Sequence, residues 1–119
     1  MVLDPVFDQL AGAVVRFVAL AETVTPENAS LQVVGRRFTA GGIVHHIAYN
    51  FRLMLGDDDE TERGTIADAI AEIQENAPRI RANFEPLIEA LGLQVAFGAP
   101  AFLLGEISAH GEDLATTIG

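Results

Sequence analysis

The sequence predicts an α+β fold in which two amphipathic helices pack on a small antiparallel sheet of hairpins. Three observations predict it. Apolar residues recur with gaps of four and three across residues 3–24, the spacing of one buried helical face. The same spacing returns across residues 66–91. Between the two, residues 30–55 are rich in β-branched and aromatic side chains and read as two strands. If residues 43–55 and 101–113 are helical instead, the chain is an all-α bundle of four to five helices.

The first helix opens at Asp4-Pro5, an N-cap followed by proline in the first turn. Leu3, Phe7, Leu10, Val14, Phe17, Ala21 and Val24 form its stripe, and Thr25-Pro26 ends it because proline disfavours helical geometry in the residue before it. Residues 30–38 and 43–55 form the arms of a hairpin, with the T-A-G-G of residues 39–42 as its loop. In the second arm Ile43, His45, Ile47, Tyr49 and Phe51 share a mostly apolar face, opposite Val44, His46, Ala48, Asn50 and Arg52. Read as a helix, the same residues group Ile43, Ile47, Phe51 and Met54, with His46 at the edge of that face. On either reading the neighbouring His45 and His46 diverge, so they do not chelate one ion together.

The long helix begins within residues 58–65. Its ridge is Ile66, Ile70, Ile73, Ala77, Ile80, Phe84, Leu87 and Leu91. Pro78 and Pro86 follow Asn76 and Asn83, which read as caps of restarted helices, so a break is expected near Pro78. Gly92 is a natural stop. Beyond it, residues 93–97 and 101–110 flank a turn at 98–100 and form a second hairpin or a short helix. Residues 111–119 carry little signal. The seven phenylalanines, Phe7, Phe17, Phe38, Phe51, Phe84, Phe97 and Phe102, are the expected core aromatics.

A chain of 119 residues, half of them hydrophobic, suits a single domain over 1–119 with a core of its own. Cysteine is absent, which excludes disulfides, thiolate metal sites and thiol nucleophiles. A formal charge of −10 opposes binding to nucleic acid or an anionic membrane. Arg36 and Arg37 read as a solvated basic pair, with Arg52 near them. The N-terminus carries Asp4 and Asp8 and no early cation, unlike a secretory signal. The apolar stretch over 91–104 is interrupted by Gln94, two glycines and Pro100, and falls short of the ~20 residues that span a bilayer. A cytoplasmic protein, or a virion component, is the expectation.

Chemistry-bearing patterns are sparse. The acidic run at 57–60 fails the calcium-loop pattern, because Glu62 stands where that loop needs glycine. Carboxylates there complement a following helix dipole instead. His110 has Glu106 four residues before it and Asp113 three after, and His46 could join them. That would make the two-histidine, one-carboxylate set of non-haem iron and some zinc sites. The spacing matches no strong motif, so the sequence assigns no catalytic, cofactor-binding or metal residue. Should a metal centre exist, its ligands come from His46, Glu106, His110 and Asp113. Ser108, His110 and Glu112 lack the geometry of a hydrolytic triad.

Absence of a catalytic motif, generous apolar faces and open strand edges together predict a non-enzymatic structural or assembly subunit. It would self-associate into a ring or dimer, or bind another protein, and need no cofactor. In organisation alone, the order helix, hairpin, acidic turn and long helix resembles small ring-forming proteins of tailed-phage necks and tails. That resemblance implies a virion component. The alternatives are a module binding a small ligand or a protein, and a metal-dependent enzyme built on the histidines and carboxylates.

Overall fold

A computed structural model, describing residues 4–92 and 94–119, shows four α-helices: α1 Asp4–Ala21, α2 Ala40–Met54, α3 Ile66–Leu91 and α4 Gln94–Ile118. No strand occurs among the described residues, and one isolated bridge between Gln32 and Thr39 stands where a sheet is predicted. The α+β expectation is overturned in favour of the all-helical alternative. The expectation of open strand edges goes with it.

The first hairpin fails at its loop. Thr39 is extended (φ −85°, ψ 169°), and its hydroxyl accepts from the Gly42 N–H at 3.0 Å. The N–H groups of Ala40 and Gly41 donate to the carbonyls of Leu31 and Ala29 at 2.9 and 2.8 Å. The opening donors of a helix, which have no partner within it, are thus satisfied. Gly41 is a close approach and not a turn residue. A Cβ there would stand 3.1 Å from Ile66 Cδ1 and 3.3 Å from the Ala29 carbonyl oxygen. Along α2, Ile43, Val44, Ile47, Ala48 and Phe51 are all fully buried. A strand would have sent Val44 and Ala48 to the face opposite Ile43 and Ile47.

In α1, Phe7, Leu10, Val14, Phe17 and Ala21 are buried as the ridge predicts, joined by Ala13 and Val18, while Leu3 lies outside the described residues. α3 starts at a capping box. The Asp68 N–H donates to Thr65 Oγ1 at 3.2 Å, and the Thr65 N–H donates to Asp68 Oδ2 at 2.8 Å. Thr65→Ala is expected to cost about 1 kcal/mol, read from the urea midpoint, and an unchanged midpoint would refute the cap.

The break predicted near Pro78 does not form, and α3 runs as one helix through Pro78 and Pro86. Each proline deprives the carbonyl four residues earlier, at Gln74 and Ala82, of its usual donor. Burial on both sides offsets that loss, since Ile73 and Ile80 are fully buried. Neither asparagine caps a restarted helix. Asn76 is buried inside α3, and its Oδ1 accepts from Arg79 Nη1 at 3.1 Å. The ridge also drifts. Leu87 and Leu91 are 45% and 66% exposed, and Ile88 is buried in their place. A strict seven-residue repeat slips by about 20° per heptad around a straight helix.

The second hairpin is likewise replaced by α4, which continues through Pro100. Leu93 and the Phe97 side chain lie outside the described residues. Pro100, Leu103, Ile107 and Leu114 are buried on α4, whereas Phe102 is 40% exposed and is not a core residue. α4 packs on α1, α2 and α3, and one apolar cluster joins all four helices. Among the described residues no helix is long and apolar enough to cross a membrane.

Arg52 is not solvated with Arg36 and Arg37; it is 4% exposed. Its Nη1 donates to both carboxylate oxygens of Glu72 at 2.7 and 2.9 Å, and its Nη2 to the carbonyls of Asp59 and Thr61 at 3.0 and 3.1 Å. The acidic stretch after α2 is thereby tied to α3. Arg63 braces it from outside, donating to Asp57 and Asp59.

Candidate metal centre

α2 and α4 face each other with polar groups at matched heights. α2 contributes His46 and, one turn on, Asn50; α4 contributes Glu106 and, one turn on, His110. Glu106 Oε2 is the focus. It lies 2.9 Å from His110 Nε2 and 3.6 Å from His46 Nε2, and it accepts from Asn50 Nδ2 at 3.4 Å. One ligand atom from each of His46, Glu106 and His110 falls within 4.8 Å of the others. The imidazoles meet edge to face, with centroids 4.8 Å apart.

The loop between α1 and α2 covers this cluster. The Phe38 ring lies 4.6 Å from that of His46 and 5.7 Å from that of His110. Arg36, two residues earlier, donates through Nε to Asp113 Oδ2 at 3.0 Å. Asp113 stands beside the cluster, not in it: its Oδ2 is 4.0 Å from His110 Nδ1. His45 points elsewhere, as both sequence readings require. It lies toward the start of α3, where Asp68 has its pKa lowered by hydrogen bonds from the Thr65 backbone and side chain and, more weakly, by His45.

Burial pushes the His46 pKa down, the charge of His110 adds to that, and Glu106 pulls the other way. A desolvated imidazole is kept neutral near physiological pH, with a lone pair free for a ligand bond. His110 is 6% exposed, and its Nδ1 has no hydrogen-bond partner.

No family model, curated protein or solved structure matches the chain. Geometry and chemistry alone bear on what the cluster does.

Two imidazole nitrogens and one carboxylate from facing helices suit a zinc-like or other first-row divalent ion. Ligand bonds of about 2.0–2.2 Å place tetrahedral ligand atoms ~3.4 Å apart, so small side-chain rotations close the triad. Solvent reaches the triad, since the His46 and Glu106 side chains are 24% and 28% exposed. A cavity of about 220 Å³ borders both His45 and His46, walled by Arg37, Phe38, Tyr49 and Glu62.

Of the four residues the sequence associates with a metal, three converge and Asp113 flanks them. Ser108, His110 and Glu112 do not gather: Ser108 borders a cavity against α1, and Glu112 one against Val33 and Val34. Sequence reasoning missed Asn50, Phe38 and Arg36. Asn50 follows His46 by four residues, a signal visible only once 40–54 is known to be helical. Nothing local marks Phe38 or Arg36, whose partners lie on a distant helix.

Proposed function

We propose that His46, Glu106 and His110 hold one divalent transition-metal ion, and that the protein is a metal-dependent enzyme acting on a small molecule. One observation carries this reading: both imidazole Nε2 atoms and the Asn50 amide aim at a single carboxylate oxygen. A shared ion would satisfy all three side-chain ligands at once. Three protein ligands with an open fourth position is the arrangement of catalytic rather than structural zinc. A water at that position would be acidified, and an oxygen of a bound substrate would be polarised. The adjoining cavity, about 220 Å³, lies below the usual range for drug-sized ligands and fits a compact metabolite. The test is titration of chelator-stripped, untagged protein with cobalt(II) and zinc(II). One ion per chain, with a cobalt spectrum of tetrahedral or five-coordinate character, supports the reading, and no stoichiometric uptake ends it.

Self-association is a second reading, favoured by a groove between α1 and α3. Its volume is about 390 Å³, and it is lined by Ala11, Val14, Val15 and Pro78, with Val15 69% exposed. Asp8 and Arg81 sit at its rim. In a two-fold contact this patch faces its own copy, which lets Asp8 of one copy meet Arg81 of the other. Light scattering at tens of micromolar should then report a dimer that Val15→Glu splits; a monomeric wild type would remove this reading.

A further inference from the structure

We infer that Asp113 and Arg36 are positioning residues of this centre, with Asp113 receiving the His110 ring proton once His110 Nε2 takes the metal. The inference rests on the metal-centre reading above. A neutral imidazole that ligates through Nε2 carries its proton on Nδ1, and that N–H needs an acceptor. In this protein Nδ1 of His110 is buried without a hydrogen-bond partner. The nearby carboxylate oxygen is Asp113 Oδ2 at 4.0 Å, one turn along the same helix. A modest side-chain rotation converts that approach into a hydrogen bond. Asp113 is itself oriented from the other side by Arg36 Nε at 3.0 Å.

The arrangement runs in series. Arg36 fixes Asp113, Asp113 fixes the ring plane of His110, and His110 presents Nε2 to the ion and to Glu106. Ligation through Nε2 leaves the one remaining ring hydrogen on Nδ1, and a proton displaced from Nε2 passes to solvent. The chain of contacts also joins the loop that roofs the histidines to α4, so the placing of Phe38 over both rings is coupled to the ligand geometry. Neither Asp113 nor Arg36 is a catalytic residue in this scheme, since neither touches the ion.

Zinc(II) affinity, measured by competition with a chromophoric chelator, tests it on wild type, Asp113→Ala, Asp113→Asn and Arg36→Gln. Asp113→Ala should weaken zinc roughly 10- to 100-fold, the usual penalty for losing an outer-shell partner. Asp113→Asn should recover part of that, because its amide oxygen still accepts. Arg36→Gln is the safer variant for folding, its side chain being 48% exposed, and it should weaken zinc less. Long-range nitrogen–proton NMR supplies a readout that a purely structural role would not move. In the zinc-loaded wild type the His110 Nδ1–H should exchange slowly with water, and in Asp113→Ala it should exchange fast. Zinc affinity in Asp113→Ala within about twofold of wild type overturns the inference and leaves the metal centre standing. No zinc uptake by the wild type overturns both.

Discussion

Replacing His46, Glu106 or His110 by alanine is expected to abolish stoichiometric zinc binding, while His45→Ala leaves it unchanged. In the proposed centre each of the three would supply one of three protein ligands, so the loss should exceed the roughly 10- to 100-fold that outer-shell changes cost. Glu106→Gln keeps the side-chain shape and removes the one anion on which His46, His110 and Asn50 converge. It separates charge from packing. His45 is the internal control, with the same residue type, the same helix and the adjacent position, but a different heading. Thermal stability offers an independent measure. An ion that binds only the folded chain stabilises it by about 2.7 kcal/mol at a free concentration one hundred times its dissociation constant. Wild type and His45→Ala should show that zinc-dependent rise in midpoint, and the three ligand variants should not. Equal rises in all five proteins would place the ion elsewhere.

Arg52→Met is the second large effect, this time on stability. Arg52 donates twice to Glu72 and once each to the carbonyls of Asp59 and Thr61, while being 4% exposed. Methionine preserves most of the apolar stem and removes the fork. Glu72 and two backbone carbonyls then lose their partner together. Breaking a buried pair from one side costs about 3–5 kcal/mol, and the partial exposure of Glu72, at 20%, argues for about 3 kcal/mol here. For a chain of this size the melting midpoint should fall by roughly 10 °C. Arg52→Lys should rescue little, because a single ammonium cannot reproduce a bidentate grip and also reach two carbonyls. A midpoint for Arg52→Met within a degree or two of wild type would show that the acidic segment is held by other contacts. Exposed pairs such as Arg63 with Asp57 should matter far less, since both side chains are nearly half solvent-exposed.

Both experiments turn on residues whose importance comes from the bundle. For Arg52 the sequence offered an arginine near a basic doublet and an acidic run, with nothing to separate a solvated cation from a buried hub. For His110 the neighbours Glu106 and Asp113 were legible at once, because spacings of four and three lie on one helical face. The contribution of His46 was not, since it depends on which way α2 meets α4.

Local chemistry determined α1, the first part of the α3 ridge and the start of α3: the 4–3 spacing of apolar residues holds in α1 and from Ile66 to Ile80, and Thr65 caps the helix that follows it. It also determined that His45 and His46 part company, because adjacent side chains diverge on a helix and on a strand alike. Tertiary structure alone decided the rest. Residues 40–54 carry apolar side chains on both faces of a two-residue repeat, so their pattern fits strand and helix equally. Loop carbonyls at Ala29 and Leu31 and a glycine pressed against them resolved it as helix. Pro78 and Pro100 interrupt their helices chemically, but burial of Ile73, Ile80 and Leu103 carries the chain across each one. The meeting of His46 with Glu106 and His110 spans sixty-odd residues of chain, a distance over which only packing, and no local preference, brings three side chains to one point.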